Sequence, residues 1–186
     1  MSQRPQHTLV LGGARSGKSQ FAESLVPVSG CTYLATARPY PSEDGGQFDA
    51  DFAARIARHA ARRPANWVLD EHTDLIDALN SPIPAHGNHL FVDDLGTWLT
   101  HKLDLVGWEG QRGQFSELFE QVVRGIAKCE SSLTIVSPEV GMGVIPEHPA
   151  GRLFRDELGT LNQLVAQQCD RVLLVVAGQT LTLKSP

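Results

Sequence analysis

Short apolar runs alternate with longer amphipathic segments along most of this chain of 186 residues. Each run has the length of one buried β-strand, and polar residues or glycine stand at or directly after its end, as is usual for strands. We predict strands over residues 8–11, 31–36, 66–69, 89–94, 133–136 and 171–177, and a C-terminal β-hairpin whose last strand covers 180–184. Because helical segments separate most of these runs, the pattern predicts an α/β fold with a mostly parallel sheet flanked by helices.

The amphipathic segments predict helices over residues 18–26, 49–62, 75–79, 96–105, 115–129 and 150–168. The last is the longest, and its apolar side chains recur at helical spacing: Leu153, Phe154, Leu158, Leu161, Leu164 and Val165. Segment 49–62 carries Phe52, Ile56 and Ala60 every four residues, with arginines on its other faces. It is therefore predicted to be a basic amphipathic helix.

Length and composition limit the classes of protein that fit. A chain of this length suits one α/β domain, predicted to span residues 1–186. The net charge of -5 gives no broad positive field, so nucleic acid is not an expected partner. Three widely spaced cysteines without a CxxC pair indicate reduced thiols rather than a disulfide framework or a zinc site. The polar N-terminus and the lack of a long apolar run predict a cytoplasmic protein without a membrane span.

The first predicted strand breaks into a glycine-rich stretch that satisfies the pattern GxxxxGK[ST] of a phosphate-binding loop. Its residues are the first candidate nucleotide contacts: Gly12, Gly13, Ala14, Arg15, Ser16, Gly17, Lys18 and Ser19. Glycines let successive backbone N–H groups point at phosphate oxygens, the Lys18 ammonium reaches the outer phosphates, and the Ser19 hydroxyl suits Mg²⁺. A strand before the loop and a helix after it are the context that this motif requires. The combination predicts a P-loop NTPase fold of the RecA-like type.

The predicted apolar strand 89–94 ends in two carboxylates, Asp93 and Asp94. An acid at the end of a neighbouring strand is where a P-loop protein holds its Mg²⁺, directly or through water. Side chains alternate along a strand, so we expect only one of the two to face the phosphates. The other is expected to cap the helix that follows.

Residue patterns alone leave three further features open. The loop 38–46 is either a lid or an insertion, and the glycine-rich segment 137–146 is either a substrate loop or a structural crossover. His59 lies on the basic helix, where a histidine is more often a surface residue than a catalytic one.

Several motifs resemble one family closely, the bifunctional adenosylcobinamide kinase / adenosylcobinamide-phosphate guanylyltransferases of cobalamin biosynthesis. The family's GGARSGKS wording stands at residues 12–19 and is followed by Ala22 and Glu23. The other matching segments are the Tyr-x-Ala-Thr strand end at 33–36, RIxxHxxxRPxxW at 55–67, the EVGxGIVP-type loop at 139–146, RxFRDxxGxxNQ at 152–163 and the strand pair at 174–184.

The resemblance implies a two-step enzyme. It phosphorylates adenosylcobinamide with ATP or GTP, attaches GMP from GTP to a histidine, and passes the GMP to adenosylcobinamide phosphate. By motif position the histidine is His59, with Lys18 assisting phosphoryl transfer. The resemblance further implies a homotrimer, Mg²⁺ at Ser19 and Asp93, and nucleotide contacts at Thr36, Ala37, Arg38, Ala60, Ala61, Arg62, Arg63, Glu71 and Asp93.

The chain departs from the family pattern at three positions. Pro138 stands where Asn is expected, Gly96 where Thr is usual and His101 where Asn is usual, which affects expected substrate contacts more than the nucleotide chemistry. Two other functions fit the phosphate loop alone. They are a different P-loop small-molecule kinase and a non-enzymatic nucleotide-binding module.

Overall fold

The computed structural model describes residues 5–37, 63–82 and 84–186. Within them, seven strands form one sheet: β1 (His7–Gly12), β2 (Thr32–Ala35), β3 (Val68–Asp70), β4 (His89–Asp93), β5 (Ser132–Pro138), β6 (Arg171–Val176) and β7 (Gln179–Lys184). Their order is β3-β2-β4-β5-β1-β6-β7. All neighbours are parallel except β6 and β7, which are antiparallel. The predicted α/β class, mostly parallel sheet and C-terminal hairpin are confirmed.

The described residues also form five α-helices: α1 (Lys18–Glu23), α2 (Leu75–Leu79), α3 (Leu95–Val106), α4 (Ser116–Lys128) and α5 (Pro149–Gln168). Each corresponds to a predicted helix, but α1 was predicted to reach residue 26 and ends earlier. There the amides of Leu25 and Val26 donate to carbonyls only three residues back, which tightens the last turn before Pro27. The predicted helix 49–62 lies outside the described residues.

Alternation along the strands divides the buried side chains between two faces of the sheet. Leu9 and Leu11 of β1, with Leu90 and Val92 of β4, face one side, where they pack with residues from α2, α3, α4 and α5. The intervening residues Val10 and Phe91 face the other side. We call these the four-helix face and the α1 face.

The α1 face has a smaller buried cluster in the part of the chain that the structure describes. It consists of Val10, Ala22, Cys31, Tyr33, Phe91, Val136 and Val175. The stripe predicted on the longest helix belongs to the other face, where Leu153, Leu158, Leu161 and Val165 of α5 are buried. The periodicity of the sequence therefore identified the helix surface that enters the larger core.

The cysteines are free thiols, as predicted. Burial raises the pKa of both Cys31 and Cys169 to about 12, so neither is a thiolate at neutral pH. In the described parts of the chain, none of the helices combines the length and the apolar character needed to span a lipid bilayer.

Candidate nucleotide site

The phosphate loop lies at the carboxyl end of β1, between the last strand residue and the start of α1. Its backbone enters the left-handed region at Arg15 (φ 57°) and Gly17 (φ 94°). Gly12 must be glycine for steric reasons, because a Cβ there would lie 2.5 Å from the Ser16 Oγ and 2.7 Å from the Val175 carbonyl oxygen. The tight bend curls the loop backbone in the manner of an anion-binding nest.

Lys18 and Ser19 are the first two residues of α1, and both are buried, with 6% and 9% exposure. The Lys18 ammonium lies 3.5 Å from the Gly13 carbonyl oxygen, so its side chain folds back over the loop. Of the other loop residues, Gly12 is buried, Gly13, Ser16 and Gly17 are half-buried, and Ala14 and Arg15 are exposed. The two polar groups that suit phosphate and Mg²⁺ thus lie beneath a loop whose outer part is open.

The turn between β6 and β7 supports the phosphate loop from the side. The Gly178 amide donates to the Ser16 carbonyl oxygen at 2.8 Å, and a Cβ on Gly17 would lie 3.4 Å from the Gly178 Cα. Ala177 and Gly178 have positive φ angles of 51° and 75°, as a tight two-residue hairpin requires. The sequence pattern predicts the hairpin but not this contact. Ala177 and Gly178, which follow β6, indicate only that the turn is tight.

The two consecutive acids on β4 have different surroundings. Phe91 packs on the α1 face, so Asp93, two residues further along β4, points to the same side as the helix of the phosphate loop. Asp94 is the N-cap of α3, and its carboxylate accepts the Thr97 amide at 2.8 Å in a capping box. The N-cap interpretation is confirmed for Asp94.

Asp93 is held by a buried tyrosine. The Tyr33 hydroxyl donates to Asp93 Oδ2 at 2.5 Å. Burial, and next the charge of Asp93, raise the pKa of Tyr33 far above its ordinary value. The phenol therefore keeps its proton, and its O–H group donates a hydrogen bond to the carboxylate.

Thr36 joins β2 to the start of α3. Its buried hydroxyl lies 2.7 Å from the Asp94 carbonyl oxygen, 3.0 Å from that of Asp93 and 2.5 Å from the Thr97 Oγ1. Ala37 follows it and is half-buried. These contacts fix the backbone that carries both acids, and the nucleotide contact of Thr36 stays a prediction.

Two predicted nucleotide residues lie near the β3 edge. Glu71 is exposed and directly follows β3, whose carboxyl end is at the same edge of the sheet as the phosphate loop. Arg63 is half-buried, with its guanidinium carbon 4.7 Å from the centroid of the Tyr33 ring. The predicted site residues Arg38, His59, Ala60, Ala61 and Arg62 lie outside the described residues.

The segment after β5 runs beside the phosphate loop. The Glu139 amide donates to the Gly12 carbonyl oxygen at 3.0 Å, and Arg152 of α5 donates to the Pro146 carbonyl oxygen at 2.9 Å. Between these anchors Met142, Val144 and Ile145 are strongly exposed. This position beside the phosphate loop suits a substrate loop, which is one of the two roles that the sequence predicts for the segment.

Two departures from the family pattern lie in contact. A Cβ on Gly96 would lie 2.6 Å from the Pro138 Cγ and 3.0 Å from its Cδ. A threonine at position 96 therefore does not fit beside this proline. The two residues lie side by side at the junction of β5 and α3, and His101 is half-buried further along α3.

The donors in this site fit Mg²⁺. A hydroxyl from Ser19 and a carboxylate from Asp93 are hard oxygen ligands, and Mg²⁺ takes few protein ligands beside substrate phosphates and water. In residues 5–37, 63–82 and 84–186 there is no group of three or more His, Cys, Asp or Glu side chains arranged to hold a metal. The site thus lacks the features of a closed zinc cage in this part of the chain.

Comparison with known proteins adds a family and several relatives. The cobinamide kinase / cobinamide phosphate guanyltransferase family, CobU, matches residues 8–183. The chain is 39% identical over 182 residues to the bifunctional adenosylcobalamin biosynthesis protein CobP of Pseudomonas aeruginosa, covering 95% of this chain and 96% of that one. It is 33% identical over 180 residues to the protein CobU of the same description from Salmonella typhimurium, covering 91% and 95%.

A solved structure from Pyrococcus horikoshii OT3 shares the overall fold. Its TM-score is 0.55 at 9% sequence identity, with coverage of 98% of this chain and 88% of that one. At this identity the likeness concerns the path of the backbone alone.

Proposed function

Because this chain belongs to the cobinamide kinase / cobinamide phosphate guanyltransferase family, we propose that it phosphorylates adenosylcobinamide and then transfers GMP from GTP to the product. The chain is a bifunctional transferase of adenosylcobalamin biosynthesis. The observation that carries the detailed proposal is the phosphate loop on the α1 face, with Lys18 and Ser19 beneath it and Asp93 on the same side of the sheet. Both reactions belong to one domain spanning residues 1–186.

In the first reaction the phosphate loop holds the triphosphate of ATP or GTP. The corrinoid hydroxyl oxygen forms a bond to the γ-phosphorus and releases its proton to solvent, the bond from that phosphorus to the β-phosphate oxygen breaks, and the nucleoside diphosphate leaves. Catalysis of this transfer depends on positioning and on neutralising charge. Lys18 supplies a positive charge to the outer phosphates, and backbone N–H groups from residues 12–19 orient them.

Ser19 and Asp93 hold Mg²⁺ in this proposal, Asp93 directly or through a water molecule. When bound, the ion neutralises phosphate charge. The chain contributes the orientation of its own ligands. Ser19 is fixed at the start of α1, and Asp93 is fixed by the Tyr33 hydroxyl.

In the second reaction His59 accepts GMP. A neutral ring nitrogen attacks the α-phosphorus of GTP, and pyrophosphate leaves. A phosphate oxygen of the corrinoid phosphate then forms a bond to that phosphorus while the nitrogen–phosphorus bond breaks, giving adenosylcobinamide-GDP. An imidazole of ordinary pKa, about 6.5, is largely neutral at pH 7 and needs no base to become a nucleophile.

The remaining nucleotide contacts belong to the proposal as well. They are Thr36, Ala37, Arg38, Ala60, Ala61, Arg62, Arg63 and Glu71. Arg63 is the one with the strongest structural support, because its half-buried guanidinium lies beside the tyrosine that holds Asp93. The resemblance also predicts a homotrimer, which light scattering on the purified protein measures directly.

Corrinoid turnover tests the proposal. The protein is incubated with adenosylcobinamide, ATP, GTP and Mg²⁺, and the corrinoid products are followed by liquid chromatography and mass spectrometry. We expect a product heavier by one phosphate, followed by one heavier by a further GMP unit. His59→Ala should accumulate the first product, and Lys18→Ala should form little of either.

A matched control is Lys102→Ala. Lys102 pairs with Asp74 at 2.7 Å on the four-helix face, so the Lys102→Ala variant should form both corrinoid products in wild-type amounts. A wild-type protein that binds nucleotide without altering the corrinoid would contradict the proposal and leave a different kinase or a binding module.

A further inference from the structure

Tyr33 makes two kinds of contact on the α1 face. It is 3% exposed, and its hydroxyl donates to Asp93 Oδ2 at 2.5 Å. Its ring packs against Trp67 and Phe91, with centroid separations of 6.0 Å and 5.2 Å and interplanar angles of 26° and 14°, and these two rings also contact each other at 5.8 Å. The packing fixes the ring, so the hydroxyl reaches the carboxylate from one direction.

The outer contact of the ring is with Arg63. The guanidinium carbon lies 4.7 Å from the ring centroid, within the range of a cation–π interaction. The Arg63 Nε is buried and has no hydrogen-bond partner among residues 5–37, 63–82 and 84–186. The guanidinium is therefore positioned by stacking while a buried donor remains for an acceptor such as a phosphate or a base.

Arg63 and Trp67 belong to one short segment. It ends at β3 and begins four residues after His59, the proposed acceptor of GMP. Both side chains of this segment rest on the same tyrosine. Tyr33 therefore connects the chain next to the guanylylated histidine with the carboxylate proposed to hold Mg²⁺.

We propose that Tyr33 is a positioning residue for both transfers: its hydroxyl orients Asp93 for the divalent cation, and its ring positions Arg63 for the nucleotide. The proposal rests on the proposed roles of Asp93 and Arg63. Carboxylates that bind metals are commonly held by a second hydrogen-bonding group, and loss of that group lowers metal affinity by about 10- to 100-fold. A phenylalanine would pack equally well among the aromatic rings, so packing alone does not account for the hydroxyl.

The two roles are separable by substitution. Tyr33→Phe removes the hydroxyl and keeps the ring, and Tyr33→Leu removes both. Thr134→Val is the matched control. It removes a buried hydroxyl of β5 that pairs with His89, and His89 lies at the opposite end of β4 from Asp93. Asp93→Asn is the reference for loss of the proposed ligand.

The first probe is Mn²⁺, whose binding is measured by electron paramagnetic resonance. The second is a non-hydrolysable GTP analogue, whose binding is measured by calorimetry with and without the metal. For Tyr33→Phe we expect Mn²⁺ affinity in the nucleotide complex to fall about tenfold, with metal-free nucleotide affinity unchanged. In turnover, its apparent KM for the metal should rise more than kcat falls. Tyr33→Leu should lose metal-free nucleotide affinity as well, and Thr134→Val should lose neither.

The double variant Tyr33→Phe/Asp93→Asn should bind Mn²⁺ no more weakly than Asp93→Asn alone, since the hydroxyl acts through that carboxylate. Unchanged Mn²⁺ affinity in Tyr33→Phe, with a clear loss in Asp93→Asn, would overturn the role of the hydroxyl and leave the proposed function standing. Unchanged affinity in Asp93→Asn would remove the metal assignment itself, and the role of Tyr33 with it.

Discussion

The two faces of the sheet have different tasks. The four-helix face packs α2, α3, α4 and α5 against alternate strand residues and buries most of the large aliphatic side chains of the described chain. The α1 face has a smaller cluster, and it carries Asp93, Tyr33 and the helix that begins with Lys18. Among the described residues, one face therefore supplies most of the buried apolar packing, while the other holds buried polar groups and a loop with left-handed backbone.

The largest effect is expected at the phosphate loop. Lys18→Ala should lower the rate of phosphoryl transfer roughly a thousandfold, because it removes a buried positive charge that is proposed to bind the outer phosphates. Its melting temperature should stay close to that of the wild type. Lys102→Ala on the four-helix face should lower the melting temperature and leave the rate of phosphoryl transfer unchanged. Equal rates of phosphoryl transfer in the two variants would contradict the difference between the faces.

The second effect concerns stability alone. Leu158 of α5 is fully buried on the four-helix face, so Leu158→Ala should lower the free energy of unfolding by about 2–5 kcal/mol. Urea unfolding followed by circular dichroism measures this. The dissociation constant for nucleotide should be unchanged at a temperature where the variant is folded. A large loss of nucleotide affinity would mean that the two faces are not independent.

The third effect depends on pH and comes from His89, at the amino end of the strand that carries Asp93. Burial lowers the pKa of His89 from 6.5 to about 4, while its Nε2 pairs with the Thr134 hydroxyl at 3.0 Å. Below pH 6.5 the unfolded chain binds a proton that the folded chain does not. The free energy of unfolding should therefore fall as the pH drops from 6.5 to 4, by up to about 3 kcal/mol.

His89→Gln removes this titration. Urea unfolding at several pH values should give a flatter slope for the variant between pH 6.5 and 4 than for the wild type. Parallel slopes would mean that His89 is protonated in the folded protein at mild acidity.

The smallest effect separates the two neighbouring acids. Asp94→Ala removes the cap of α3 and should cost about 1 kcal/mol of stability, whereas Asp94→Asn keeps an acceptor for the Thr97 amide and should cost less. Neither should alter Mn²⁺ affinity as strongly as Asp93→Asn. A stronger metal effect at Asp94 than at Asp93 would reverse the assignment of the two carboxylates.

What the sequence could predict was mainly local. The phosphate loop follows from residue types within eight positions, and the buried stripe of α5 follows from helical spacing. The cap at Asp94 also follows from a short pattern, since the amide it accepts is three residues away. In each case the residues that define the feature are neighbours in the chain.

What the sequence could not predict depends on strand order and register. Tyr33 meets Asp93 across 60 positions because β2 pairs with β4. Gly178 supports the phosphate loop because β6 pairs with β1, and Pro138 meets Gly96 at the junction of β5 and α3. Periodicity places a residue on a face, but it does not say which strand lies next to it.

The most direct measurement is covalent labelling with GTP that carries a radioactive α-phosphate, in the presence of Mg²⁺, followed by a denaturing gel and acid treatment. Wild type and Leu158→Ala should both retain an acid-labile label, because Leu158 packs in the apolar cluster of the four-helix face and is not among the residues proposed for the chemistry. Asp93→Asn should retain much less, and His59→Ala should retain none. Wild-type protein that binds nucleotide and stays unlabelled, or His59→Ala labelled as strongly as wild type, would contradict the proposed transfer of GMP through His59.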